Sequence, residues 1–341
     1  MQAEDQVQPE DRGTAQVVMT ENSSRPGLAL PGGQPSTYRA RASDFVALMK
    51  PRPMAVILFT AIAGLLAAPI GLSPVTALIA ILCIALGGGG SAVLNMWFER
   101  DLDARMIRTA SRPLPGGRVT PTEALAFGVL LIVSSVAVMA WAVNPVAAAM
   151  LALTILFYVV VYTMWLKRST PQNVVIGGGL ASLLTPLTGW ACATGVVSWE
   201  ALSLFAFIVP WTPPHVWSQA LVRAGDYANA EVPMMPVVAG SVRTRWMIVG
   251  FTFVHAALAL VPAAAGFTGG LWLCAALIGG LGLMVEAVRL ARASELARER
   301  HIAWRFYRLN TLYIVALFAA LIAERAFGVV APLAPIAGFG G

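Results

Sequence analysis

An all-α, polytopic membrane protein is predicted by three observations: the share of apolar residues, the length of the apolar runs, and where the basic residues fall between them. Of 341 residues, 58% are hydrophobic and only 12% charged, and the mean hydropathy is +0.73. A soluble domain of this size has too little interior to hide so much apolar surface. Runs of about 20 apolar residues instead match the ~30 Å hydrocarbon core of a bilayer, which each crosses as a helix.

Nine such runs are read along the chain, at roughly 51–71, 75–96, 121–142, 146–166, 174–194, 201–221, 247–265, 271–288 and 309–327. Residues 1–43 are rich in Gln, Glu, Ser, Pro and Gly without an apolar period, which predicts a disordered cytoplasmic tail. They lack the basic start and apolar core of a signal peptide. Residues 44–328 form the polytopic domain, followed by a short C-terminal tail at 329–341. With the N-terminus cytoplasmic, 22 of the 23 Lys and Arg fall on the inward side, and only Arg325 lies outside. The connections "APIGLSP", "AVNP", "ATGVVSWE" and "AGFTGG" carry neither residue, so the positive-inside rule fixes the orientation. The basic balance, with a pI near 9.6, is explained by loops facing an anionic leaflet, and no nucleic-acid partner is expected. Cys83, Cys192 and Cys274 lie inside apolar runs without zinc spacing, and read as small buried residues.

The chemistry is expected on the long cytoplasmic connections. The first follows the second run: "NMWFERDLDARMIRTASRPLPGG", residues 95–117, gathers three carboxylates and four arginines. Asn95, Glu99 and Asp103 are spaced i, i+4, i+8, so on a continuous helix they drift only about 80° and share one face. Hard oxygen donors at a membrane interface suit Mg²⁺, completed by waters and substrate phosphates. Asp101 points away from that face and is expected to pair at the rim. Arg105, Arg108 and Arg112 follow, and guanidinium groups clamp phosphate oxygens two at a time. Carboxylates for a metal beside cations for phosphate describe a diphosphate site; the plainer alternative is a set of salt bridges capping a helix end.

A second acidic segment, "RAGDYANAEVPMMPVVAG", follows the sixth run and contains Asp226 and Glu231, and its placement hints at two related four-helix halves. Lys167 and Arg168 are available from a third loop. Within the sixth run, "VPWTPPHVWSQ" places His215 behind Pro213 and Pro214. An ionisable residue inside a membrane is a functional candidate, the alternative being a hydrogen-bonded packing histidine. Trp211 and Trp217 are candidate walls of an aromatic pocket or members of an interface belt.

"NMWFERDLDARMIRTASRPLPGG", "WTPPHVW" and "DYANAEVPMMPVVAG" together resemble the UbiA superfamily of intramembrane prenyltransferases, and within it the haem O synthase branch. The resemblance covers about residues 44–327. It implies nine helices around a central cavity and Mg²⁺-dependent transfer of a farnesyl group from farnesyl diphosphate to a vinyl group of haem b, giving haem O. By the same resemblance, Asn95, Glu99, Asp103 and Asp226 are the catalytic, metal-ligating positions. Arg105, Arg108, Arg112 and Lys167 take the phosphates, His215 faces the haem, and Tyr227 joins the substrate-binding set. The implied setting is a bacterial inner membrane with the site towards the cytoplasm. Farnesyl diphosphate, haem b and the lipid bilayer are the expected partners, and haem A synthase, which would take the product, is a candidate one. Three positions depart from the pattern: Gly225 stands where a second acid is usual, Glu231 where a small residue is usual, and Thr185 in place of a proline. Two rivals remain at this level: prenylation of an aromatic quinone precursor such as 4-hydroxybenzoate, and a multi-helix carrier.

Overall fold

The computed structural model describes residues 40–328, so the tail expected at 1–43 falls almost wholly outside the described residues, as does the one at 329–341. The described chain is helical throughout, without strands. After a short α1 (Ala42–Leu48) come α2 (Pro51–Ala67), α3 (Pro74–Phe98), the short α4 (Arg100–Arg105) and α5 (Pro121–Ala142). Then follow α6 (Pro145–Ser169) and α7 (Val174–Thr194), α8 (Trp199–Phe205), α9 (Ile208–Val222), α10 (Ala224–Asn229), α11 (Met235–Val238), α12 (Gly240–Ala264), α13 (Gly270–Ala291) and α14 (Leu296–Ala326).

Among the described residues, seven helices are long and apolar enough to cross a bilayer, or eight if α1 and α2, bent by 54°, form one span. The run expected at 201–221 is divided between α8 and α9 by a turn at 206–207. Pro210 accounts for this, since it cannot donate to the carbonyl of Ala206 and its ring crowds that turn. The long helices start where the sequence supplies caps: Thr120 and Glu123 form a reciprocal capping box at α5, and Asn144 caps α6 through the amide of Ala147. Proline occupies the first helical position of both, where its missing N–H costs nothing.

Packing follows small residues, because lipid offers no hydrophobic drive for helix association. A side chain at Gly64 of α2 would overlap the backbone of Pro186 in α7, and one at Gly189 would overlap Ala61. On α3, a Cβ at Gly90 would meet the carbonyl of Gly128 at 2.9 Å and one at Gly87 the hydroxyl of Ser135, so these two serve contact with α5, whereas Gly88 and Gly89 make room for Met54 and Met49. Helix α9 packs on α7, α12 and α14. Trp211 donates from Nε1 to the carbonyl of Asn310 at 3.0 Å, and Asn310 returns Nδ2 to the carbonyl of Trp211 at 3.4 Å. Buried Glu324 of α14 accepts the amides of Gly269 and Trp272 at 2.6 and 2.8 Å, capping α13 from a neighbouring helix.

Cys83 and Cys192 are buried as expected, but Cys274 is exposed on α13. A residue in hydrocarbon needs no protein cover to stay out of water, so an apolar run does not say which of its faces meets protein.

The close approach of α2 and α7 predicts that Gly189→Leu lowers the thermal midpoint of detergent-solubilised protein, overpacking of this kind costing about 1–3 kcal/mol. Gly282→Ala, whose new methyl would meet nothing within 4 Å, is the control and is expected to leave the midpoint within a degree or two. Equal midpoints for both variants would contradict the packing described.

Candidate active site

Helix α3 does not run unbroken through the first acidic motif. It ends at Phe98, and Glu99 is the capping residue at φ −90°, ψ 9°, before α4 resumes. The i→i−4 bonds nevertheless continue on both sides, from the amide of Glu99 to Asn95 (3.0 Å) and from that of Asp103 to Glu99 (2.8 Å). Asn95, Glu99 and Asp103 therefore keep the shared face expected of a continuous helix. All three are at least 96% buried.

Each member of this trio carries a cation. Lys50 Nζ donates to Asn95 Oδ1 at 2.6 Å, Lys167 Nζ to Glu99 Oε1 at 2.5 Å, and Arg112 Nη1 to Asp103 Oδ1 and Oδ2 at 2.8 and 2.7 Å. Burying a carboxylate without such a partner costs several kcal/mol, so the pairing is what permits the burial.

Three local devices place these cations. Lys50 lies between α1 and α2 in the left-handed region, at φ +53° and ψ +60°, a conformation that costs a non-glycine residue about 1–2 kcal/mol. Lys167 follows a ten-residue π-helical stretch, Phe157–Leu166, inside α6; such widened turns are rare and gather at functional sites. There Thr163 donates to the carbonyl of Tyr158 at 2.8 Å and accepts Asn95 Nδ2 at 3.1 Å, so the asparagine's oxygen is the atom turned to Lys50. Arg112 sits in a loop held by Thr109 Oγ1 on the carbonyl of Asp103 (2.8 Å) and by Arg118 on Asp44 of α1 (2.9 Å).

Asp101 pairs with Arg168 at 2.8 Å, away from the trio. Partial burial works against its charge, but the hydrogen bond and charge of Arg168 hold its carboxyl below the usual aspartate range. Among the described residues Arg108 makes no ion pair; desolvation, with Arg223 and Arg112 nearby, pulls its guanidinium below its ordinary value.

The second acidic segment approaches the site through Tyr227, which lies within electrostatic range of Lys167 and Arg108. Asp226 and Tyr227 are half-buried on α10, and no three His, Cys, Asp or Glu converge among the described residues. Glu231 is 85% exposed and 4.0 Å from Arg105, which makes it a solvated partner rather than a buried ligand.

Lys50, which touches Asn95, also lines a cavity of about 570 Å³ bounded by α2, α3, α6, α7, α9 and α14. Its lining on α7, from Val174 to Thr188, implies a depth of roughly 20 Å at 1.5 Å per residue. Tyr158 and Tyr162 line it from the π-helical stretch. His215 lines it too, sandwiched by Trp211 (centroids 4.4 Å apart) and Tyr307 (4.5 Å), with Thr311 Oγ1 3.5 Å from Nδ1. Tyr307 meets Trp304 edge-on, and the guanidinium of Arg223, the first residue of the second acidic segment, lies 5.0 Å over that indole. Trp211 thus walls the cavity, but Trp217 does not: it is fully buried against Phe251.

The sequence reading missed Lys50, Tyr158, Tyr162, Thr163 and Tyr307. Lys50 was visible only as one more basic residue at a membrane edge, and nothing in a tyrosine-bearing apolar run announces a π-helical turn.

A model of the UbiA prenyltransferase family matches residues 56–312. The chain belongs to that family. Among curated relatives, this prenyltransferase is 46% identical over 315 residues to the protoheme IX farnesyltransferase of Methylobacterium radiotolerans, spanning 92% of this chain and 99% of that one. It is 49% identical over 293 residues to the protoheme IX farnesyltransferase of Methylorubrum populi, spanning 86% and 92%. Among solved structures, it shares the fold of a digeranylgeranylglyceryl phosphate synthase, with TM-score 0.68, 15% identity, and 83% and 98% of the two chains covered. It also matches a UbiA homologue from Archaeoglobus fulgidus bound to GPP and Mg²⁺, with TM-score 0.55, 17% identity, and 82% and 99% covered.

The buried pairings of this prenyltransferase predict unequal costs for two neighbouring cations. Lys167→Met strands Glu99 and is expected to destabilise by about 3 kcal/mol or more, whereas Arg168→Gln, losing an exposed pair, costs under about 1 kcal/mol. Denaturant or thermal unfolding in detergent measures both, and similar losses would contradict the geometry.

Proposed function

We propose that this prenyltransferase transfers a farnesyl group from farnesyl diphosphate to a vinyl group of haem b, giving haem O, with Mg²⁺ as cofactor. The observation that carries the proposal is the buried, cation-paired trio Asn95, Glu99 and Asp103 at the head of an apolar cavity. The names of the curated relatives support haem as the acceptor.

The donor set fits Mg²⁺: two carboxylates and an amide are hard oxygen ligands, few enough to leave room for waters and phosphate. Asn95, Glu99 and Asp103 would hold the ion, with Asp226 proposed to join from the second loop. Bound there, Mg²⁺ supplies neutralisation of the charge that gathers on the departing diphosphate. Lys50, Lys167 and Arg112 are within hydrogen-bond reach of the trio and turn to phosphate oxygens when the diphosphate arrives. Arg105 and Arg108 add donors from the flanking loop, and Tyr227 from the second.

The C1–O bond of the farnesyl group breaks and its electron pair leaves with the diphosphate. The terminal vinyl carbon supplies the pair for the new C–C bond, and water adds its hydroxyl to the inner vinyl carbon, releasing a proton. The apolar walls keep water from the allylic cation before that bond forms. They also favour the C15 chain, each buried methylene contributing about 0.8 kcal/mol. His215, held flat between Trp211 and Tyr307, contacts the haem. The basic loops support a site facing the cytoplasm of a bacterial inner membrane, from which haem A synthase would take the product.

Glu99→Gln and Asp103→Asn test the diphosphate site. Both variants are expected to insert and fold with turnover reduced at least about a thousandfold, as for loss of a principal charge-stabilising group. Wild-type rates in both would overturn the assignment.

A further inference from the structure

The cavity lining contains two cations, Lys50 and Arg52, and no carboxylate. Lys50 is engaged with Asn95 Oδ1 at 2.6 Å. Arg52 is the second residue of α2, exposed on its first turn, and among the described residues it has no hydrogen bond or ion pair. None of its five guanidinium donors is taken up by a described residue, and they stand beside an apolar chamber. Pro51 and Pro53 flank it and fix the backbone that carries it. Lys50, Lys167 and Arg112 each touch a member of the acidic trio, but Arg52 touches none, so its anion is not defined by the metal site.

We propose that Arg52 is a binding residue for a carboxylate of the acceptor, forming an anion subsite separate from that of the diphosphate. This rests on haem b being the acceptor. The ligand chemistry follows from the surroundings. The remaining lining is apolar, hydroxylic or aromatic, and the His215 stack offers a flat ring face within the same cavity. An amphipathic planar molecule with carboxylates on one edge matches a chamber with a free guanidinium at its rim. In haem b the two propionates share one edge and the vinyl groups lie away from it. A propionate held by Arg52 leaves the macrocycle and its vinyl groups inside, and a planar guanidinium pairs with a carboxylate through two parallel hydrogen bonds. A phospholipid headgroup offers similar oxyanion chemistry, but Arg52 lines the cavity, which favours the acceptor.

The test uses full-length protein in zwitterionic lipid nanodiscs. Haem b and its dimethyl ester are titrated by absorbance without diphosphate or Mg²⁺, and KM is measured for both substrates. Wild type is expected to bind haem b about tenfold more tightly than the diester. Arg52→Gln is expected to lose that preference, leaving diester affinity and KM for farnesyl diphosphate unchanged, and Arg52→Lys to recover part of it. Unchanged haem b affinity in Arg52→Gln would overturn the proposal. Equal weakening of acid and ester, pointing to a structural role, would do the same. So would a rise confined to KM for farnesyl diphosphate, or a defect that appears only when anionic lipid is added. If wild type neither binds nor prenylates haem b but prenylates 4-hydroxybenzoate, the acceptor reading fails. The Arg52 proposal is then decided by the same comparison between that acid and its methyl ester.

Discussion

The structure depends on keeping two carboxylates and an amide out of water at the end of a membrane helix. Lys167 reaches Glu99 there and Arg112 reaches Asp103, as Lys50 reaches Asn95, and these contacts are what permit the burial. Much of the local irregularity serves those three contacts. The left-handed backbone at Lys50, the π-helical turns before Lys167 and the loop that carries Arg112 each set one cation on one oxygen. Lys50 and Glu231 are the non-glycine residues with positive φ among those described; Lys50 touches the trio, and Glu231 stands in the second acidic loop facing Arg105. Strain gathered in that way is expected where the surrounding packing over-determines a site.

The chamber beneath imposes a second demand, because helices must pack without a hydrophobic drive while leaving about 570 Å³ unfilled. Tight contacts elsewhere meet it. The glycines of α2 and α7 interlock, Gly87 and Gly90 of α3 admit α5, and Trp211 and Asn310 tie α9 to α14 by reciprocal hydrogen bonds. Walls fixed from behind present tyrosines, His215 and small hydroxyls to the space between them.

Much of this was legible in the sequence, for physical reasons. The apolar runs at 121–142 and 174–194 coincide with α5 and α7, because proline and capping residues mark the start of α5 and Gly195, at φ +69°, ends α7. The i, i+4, i+8 spacing of Asn95, Glu99 and Asp103 gave the right face even though the helix breaks at Glu99, since the hydrogen-bond register survives the break. Contacts between distant segments were not legible. Lys50 to Asn95 spans 45 positions, and Trp211 to Asn310 spans 99. The burial of Trp217 and the exposure of Cys274 depend on which side of a helix meets protein, and an all-apolar run does not encode that.

The central claim, that the charge at the head of the cavity holds a prenyl diphosphate for transfer to haem, is tested most directly by its product. Membranes containing the protein are incubated with Mg²⁺, farnesyl diphosphate and haem b, and the extracted pigments are separated with mass detection. The account predicts a new haem heavier by one farnesyl group and one hydroxyl, absent when Mg²⁺ is chelated. Recovery of unaltered haem b, with a prenylated aromatic acid formed in its place when 4-hydroxybenzoate is supplied, would contradict it.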